Sequence, residues 1–450
     1  MNDQEADPPP QPRHDPLAAL RIGSFRWFAG SRVLSGTGVT LLQAVIAWQV
    51  YEISGSPLQL GVLGLVRFVP ALGMSLVGGA VADSYNRRTV LILAQLVPLG
   101  CSALLLAATA GGWISLLFIY GLVLVIALAA SFENPARQAL LPLVVPRETF
   151  LNAVAVNTTV QQLGFVAGPV LAGVAIARSG VGAGYALHLA LIGASIVLLL
   201  FLRPRPAEGE RRRVSIAAIV EGVQFVRRRQ VLLGAMTLDM VAVIFGGAVA
   251  MLPIYAEEIL EVGPRGYGLL TSSQAVGAFV TAVILVALPP VQRTGRVLLM
   301  AVAAFGVATI IFGLSRSFPL SLVAYGLTGA ADQVSVVMRH TTIQLATPDA
   351  LRGRVSSVSQ VFIGASNQLG AVESGLVAAL TSATFAVVSG GLGCVAVAGL
   401  IASKMPELRG YRITPSPVEV VVRSGAAPAV MSGATGSGAS HSRTGSTPSD

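Results

Sequence analysis

Residues 79 to 88 read Gly79-Ala-Val-Ala-Asp83-Ser-Tyr-Asn-Arg87-Arg88, a charged hinge set between two long apolar runs. Gly79 lies four residues before Asp83, one helical turn back on the same face, so a helix can pack closely at the glycine while the carboxylate sits at its end. Arg87 and Arg88 then face lipid headgroups, where cytoplasmic loops gather basic residues. A hinge of this kind belongs to a chain that crosses a membrane repeatedly, and the composition agrees. The 450 residues are 54% hydrophobic and only 11% charged, against roughly 25% charged in a soluble domain, and mean hydropathy is +0.74. The net charge of +9 is spread in short clusters between apolar runs. With no aromatic stacking platform beside them, these clusters point to the lipid bilayer as partner and away from nucleic acid.

Outward from the hinge, segments long enough to span, at about 20 apolar residues each, fall near 26–51, 58–82, 89–110, 113–134, 150–177, 183–202, 231–255, 266–288, 297–314, 318–345, 355–380 and 383–403. The pattern predicts an all-α integral membrane protein of twelve transmembrane helices. Twelve spans return both termini to one face. Arginines crowd the loops on that face, from Arg21 and Arg87 to Arg352 and Arg354, whereas the opposite loops hold only Arg178, Arg265 and Arg316. Both termini are therefore expected in the cytoplasm, with the chain in the inner (plasma) membrane. The first 16 residues are polar and proline-rich and lack an apolar core, so no cleavable signal peptide is expected.

The expected organisation is a disordered N-terminus over 1–23, a six-helix bundle over 24–202, a cytoplasmic linker over 203–230, a second six-helix bundle over 231–405 and a disordered tail over 406–450, rich in Gly, Ser, Ala, Thr and Pro. Within the linker, Ile216, Ile219, Val220, Val223 and Val226 fall at helical spacing with arginines following, which predicts an amphipathic interfacial helix. The halves repeat: Arg137 and Pro146 recur as Arg339 and Pro348, and Gly168 and Gly173 as Gly370 and Gly375, at an offset of 202. Parallel repeats of this kind place a substrate site near the midplane between the halves.

The hinge resembles the loop between helices 2 and 3 of the major facilitator superfamily of secondary transporters, although Ser84 stands where the family usually has an arginine. The fifth span adds Gly164-Phe-Val-Ala-Gly168-Pro169-Val-Leu-Ala-Gly173, which resembles the glycine-proline motif of the superfamily's proton-coupled exporters. Small residues there allow close helix contact and Pro169 removes a backbone hydrogen bond. Four further stretches, around Glu133-Asn-Pro-Ala-Arg137, Pro142 to Glu148, Gln344 to Val358 and Gly364 to Gly375, are similar to the enterobactin-exporter-like branch, which also includes drug:proton antiporters. The resemblance implies two pseudo-symmetric six-helix bundles and efflux of small amphipathic or lipophilic solutes, coupled to protons. The alternatives are a siderophore exporter or lipid-related carrier of narrow substrate, and a non-transporting membrane sensor or scaffold.

Charges inside spans are functional candidates because each costs at least ~2.5 kcal/mol at mid-bilayer. Asp239, Asp332 and Glu373 are the candidate proton carriers, with Arg32 or Arg67 as counter-charge. At the cytoplasmic face Gly79, Asp83, Arg87, Arg88, Glu133, Arg137 and Arg354 are expected to form an inner gate, joined by Arg293 and Arg296 of a degenerate second hinge. His188 and His340 read as hydrogen-bonded packing residues, and Cys101 and Cys394, each inside an apolar run, as packing rather than disulfide or metal ligands. No phosphate loop, HExxH or GxSxG constellation is present, so no enzyme, metal or cofactor is expected. The protein is expected to be monomeric.

Overall fold

The computed structural model describes residues 18–68, 70, 85–205, 216–289 and 291–412. Long helices fill this range: α1 (Gly23–Ser54), α2 (Pro57–Phe68), α3 (Arg87–Ala110), α4 (Leu116–Val144), α5 (Phe150–Phe201), α6 (Ile216–Arg228), α7 (Gln230–Phe245), α8 (Gly263–Ala287), α9 (Thr294–Leu314), α10 (Phe318–Ala346), α11 (Asp349–Leu380), α12 (Ala383–Lys404) and the short α13 (Pro406–Gly410). Among the described residues, nine helices are long and apolar enough to cross a membrane. One of these, α5, is two helices joined at a kink, where Ser179 and Gly180 leave helical geometry and Gly180 takes φ 76°. The all-α membrane fold thus stands, while the second span is described only as far as α2 reaches, so twelve crossings are not counted here.

Apolar side chains on the outer faces, such as Leu117 at 82% and Val286 at 89% exposed, suit acyl chains rather than water. The turn from α1 to α2 needs a left-handed residue, which Gly55 supplies at φ 56°, its N–H donating to Tyr51 O. Asn86 caps α3, its side chain accepting from the N–H groups of Arg88 and Thr89.

Several expected boundaries move. The fourth span, expected to end at 134, continues as α4 to Val144 through Pro135 and Pro142, because Leu140, Leu141 and Val144 go on burying themselves. The seventh stops at Phe245, before Gly246-Gly247, and resumes as a 3-10 turn (Ala248–Met251) leading to a π turn (Tyr255–Ile259). Parts of both expected disordered termini are structured. Ala18–Arg21 forms a 3-10 turn whose Ala19 N–H donates to Asn152 Oδ1 at 2.9 Å, and α13 seats Leu408, wholly buried, against the second half. The linker helix α6 packs Val226, with Phe225, against Leu232, Ile343 and Val355.

The core differs between the two ends of the bundle. At the end where α1 finishes, called here the far end, one apolar cluster runs through both halves, joining Leu41, Val45 and Tyr185 to Tyr255, Tyr267 and Phe312. At the near end, where α1 starts, each half has its own cluster: Phe25, Leu91 and Leu140 in the first, Leu238, Leu298 and Met338 in the second. The halves therefore pack on each other at the far end and separately at the near end.

Candidate functional site

Two buried arginines organise the polar interior, one in each half and 202 positions apart: Arg137 on α4 and Arg339 on α10, each 3% exposed. Glu133 precedes Arg137 by four residues, one turn away on the same face of α4. The helical spacing brings Arg137 Nη2 to Glu133 Oε1 at 2.6 Å, and the same nitrogen donates to Ser35 Oγ of α1 at 2.9 Å. Glu133 Oε1 also accepts from Gln95 Nε2 of α3 at 3.2 Å. Gln95 Oε1 in turn accepts from Ser195 of the second arm of α5 at 3.0 Å, and Ser195 shares a hydroxyl contact with Ser31 at 2.8 Å. Arg32 of α1 lies within charge range of both Arg137 and Glu133. A polar chain thus crosses four helices of the first half.

The second half solves the same problem differently. Arg339 forms an ion pair with Asp239 of α7, which is 6% exposed. At the offset of 202, Glu133 corresponds to Ser335 and Asp239 to Thr37. Among the described residues each arginine has one carboxylate, taken from its own helix in the first half and from the neighbouring helix in the second.

Of the other expected carriers, Asp332 is in no ion pair among the described residues, and Glu373 accepts a 3.2 Å hydrogen bond from Ser374 next to it in sequence. Arg67 sits beside Tyr267 of the other half and makes no ion pair among the described residues. The counter-charge of Asp239 is therefore Arg339, in place of the expected Arg32 or Arg67. A helix that ended at 134 would have left Arg137 in a loop, and the longer α4 draws it into the interior. α10 matches the span expected at 318–345 to within a residue, and Arg339, expected near its cytoplasmic end, is buried there.

The gate set is dispersed. Gly79 and Asp83 lie outside the described residues. Arg88 donates from Nε to Leu199 O at 2.8 Å and from Nη2 to Leu200 O at 2.6 Å, closing the carbonyl end of the second arm of α5. Arg354 pairs with Glu221 of the linker helix at 2.5 Å, and Arg293 is the residue preceding α9, with Arg296 in its first turn. Arg87 begins α3. Glu133 and Arg137 pair as expected, yet toward α1 and α3 rather than with Arg354.

The glycine-proline segment of α5 is a packing device with two contacts. A Cβ at Gly164 would lie 2.9 Å from the Gly36 carbonyl carbon, and one at Gly168 would lie 2.7 Å from Thr37 O, so these glycines let α5 lie on α1. Thr40 Oγ1 completes the contact by donating to Gly164 O at 2.9 Å. Beyond Pro169, a Cβ at Gly173 would lie 3.0 Å from Gly268 Cα of α8, in the other half. A second glycine pair repeats this across the molecule: a Cβ at Gly375 of α11 would lie 2.6 Å from Gly61 Cα of α2. Gly173 and Gly375 are themselves 202 residues apart. Other cross-half contacts among the described residues lie in the same far portion or at mid-height, among them Tyr51 hydroxyl to Glu258, Trp48 against Tyr267 with ring centroids 5.3 Å apart, Tyr267 hydroxyl to Ala44 O at 3.3 Å, and Ser272 Oγ to Val166 O at 2.8 Å.

Ser31, Ser35, Gln95 and Ser195 were not singled out from sequence, although Gln95 and Ser195 are polar residues isolated in apolar runs, the signal that would have found them. Glu221, Tyr51 and Glu258 gave no such signal. His188 Nδ1 meets Ser102 Oγ at 2.8 Å, and Cys101 and Cys394 are free and buried. A groove of about 640 Å³ between α3 and α4, lined by Leu93, Val97, Val125 and Phe132, is apolar and adds no chemistry. Among the described residues no cluster of His, Cys, Asp or Glu is arranged to hold a metal ion.

Comparison with known proteins accords with this geometry. The chain is 26% identical over 402 residues to the enterobactin exporter EntS of Escherichia coli O1:K1, covering 88% of this chain and 95% of the relative, and equally so to that of Escherichia coli O157:H7. Its fold is shared with a bacterial homologue of the human lysosomal transporter Spinster, at 14% identity and TM-score 0.66 over 87% of this chain and 98% of that one. A POT family transporter in complex with a thioalcohol-conjugated peptide is similar at 12% identity and TM-score 0.67, over 86% and 96% of the two chains. The family model of transmembrane secretion effectors matches residues 14–419, and the chain is accordingly a multi-pass membrane transporter of that family, within the major facilitator superfamily, and not an enzyme.

Proposed function

We propose that the protein exports small amphipathic or lipophilic solutes by alternating access, exchanging them for protons. The observation that carries this reading is the buried Asp239–Arg339 pair, because it joins two different helices rather than two turns of one. A proton taken up by Asp239 removes its negative charge and with it most of the attraction to Arg339. α7 and α10 are then free to shift, and deprotonation on the other side restores the pair. The cores support the mechanical half of the proposal: packing shared at the far end and divided at the near end leaves the near end free to open. Arginine placement supports a cytoplasmic near end with both termini inside, and in this reading the bundle sits in the inner membrane and works as a monomer. Asp332 and Glu373 remain the other carboxylates from which a proton pathway would be drawn.

The test is uptake into inverted membrane vesicles of a panel of dyes, antibiotics and siderophores, with and without a proton uncoupler. Asp239→Asn is expected to abolish uncoupler-sensitive uptake, and Asp332→Asn and Glu373→Gln to reduce it less. Absence of proton-dependent flux for every compound overturns the proposal. A narrower reading, export of siderophores alone, is favoured by the naming of the curated relatives as enterobactin exporters. It predicts flux of siderophores and of no dye or antibiotic in the same panel.

A further inference from the structure

Among the described residues, the polar chain of the first half carries more positive charge than it neutralises. Ser35 accepts from Arg137 Nη2 at 2.9 Å and lies one turn on from Arg32, its hydroxyl 3.5 Å from Arg32 O, so Arg32 and Arg137 belong to one cluster. Glu133 is the one carboxylate in it among the described residues, which leaves one positive charge over among them. Donors remain as well: Arg32 Nε, Arg137 Nε and Arg137 Nη1 are buried without a hydrogen-bond partner, and Arg137 is only 4% exposed. Arg32 is in no ion pair among the described residues. Two guanidinium groups held together in a membrane interior repel each other unless an anion lies between them, and Glu133 already accepts from Arg137 and Gln95. Arg32 is half-buried and the Glu133 side chain 13% exposed, so the cluster is reachable from the side of α1. It lies toward the near end, where the two halves have separate cores. In the second half, among the described residues, Arg339 and Asp239 balance one to one in charge, although Arg339 Nε is likewise buried without a hydrogen-bond partner.

We propose that Arg32 and Arg137 form an anion-binding site that receives the acidic group, a carboxylate or an acidic phenol, of the exported solute. The proposal rests on the export reading and narrows its substrates to amphipathic organic anions. Arg137, steadied by Glu133 and Ser35, supplies a fixed pair of donors. Arg32, in no ion pair among the described residues, closes on the anion from α1.

Equilibrium binding to the purified full-length protein tests this without any transport, so its failure is separable from failure of the vesicle assay. Salicylate and its neutral amide, salicylamide, are titrated at constant ionic strength and binding is read by thermal shift. Salicylate is expected to bind at least tenfold tighter than salicylamide. Arg32→Gln is expected to abolish that preference while leaving salicylamide binding unchanged, and Arg32→Lys to keep most of it. Arg178→Gln, a far-end control, is expected to match the parent. Equal binding of the two probes, or a salicylate loss as large in Arg178→Gln as in Arg32→Gln, overturns the site. Displacement of salicylate when phosphatidylglycerol nanodiscs replace detergent assigns the anion to a lipid headgroup and overturns the solute assignment.

Discussion

The first half holds its buried arginine with a carboxylate on the same helix, and the second half holds its own with a carboxylate on the helix beside it. Glu133 and Arg137 are one turn apart on α4, so no rigid movement of α4 alters their separation. Asp239 and Arg339 sit on α7 and α10, so any relative tilt of those helices stretches the pair. One duplicated scaffold thus carries a fixed pair and a breakable pair. Where the second half has Ser335 the first has Glu133, and where the first has Thr37 the second has Asp239.

The strongest way to break this comparison is to remove one partner of the breakable pair. Arg339→Gln leaves Asp239 buried without a counter-charge and Asp239→Asn leaves Arg339 so, at a cost of about 3–5 kcal/mol each. Both variants are expected to lower the thermal midpoint in detergent by several degrees and to reduce proton-dependent flux more than tenfold. A sharper test converts one half into the other. Asp239→Thr combined with Ser335→Glu gives Arg339 a carboxylate one turn back on its own helix, as in the first half. The double variant is expected to recover most of the stability lost by Asp239→Asn yet to transport without response to an uncoupler. Recovery of uncoupler sensitivity would break the link between cross-helix pairing and coupling.

The glycine pairs set the next scale. Gly375→Ala drives a methyl into the Gly61 backbone and Gly173→Ala into that of Gly268, each an overpacking cost of about 1–3 kcal/mol on the far-end contact. Both are expected to slow transport several-fold, and cysteine labelling of the far end should rise in each. The exposed Arg354–Glu221 pair stands at the bottom of the range. With its side chains 39% and 54% exposed, Glu221→Gln is expected to change stability by less than about 1 kcal/mol, measured as a near-unchanged thermal midpoint.

Much of the molecule was legible before any coordinates. Apolar runs of spanning length and the arginine clusters between them marked a membrane bundle, since bilayer thickness imposes length and insertion cost excludes charge. Glu133 and Arg137 were legible as a pair because contacts one helical turn apart depend only on local geometry. Asp239 and Arg339 were each visible, but not as partners, because 100 residues separate them and helix order does not say which faces meet. The glycine-proline motif on α5 was legible as a close-packing segment, and its contact with α8 was not.

The chain's own chemistry determined what must be buried, which segments span and how often the design repeats, because hydrophobic length and helical period are written locally. Tertiary structure alone decided which carboxylate neutralises Arg339, which glycines of the two halves touch, and that Arg137 of α4 reaches Ser35 of α1. Those outcomes depend on how helices from distant parts of the chain rotate and lean on one another, a balance of many small packing contacts that no single stretch of sequence carries.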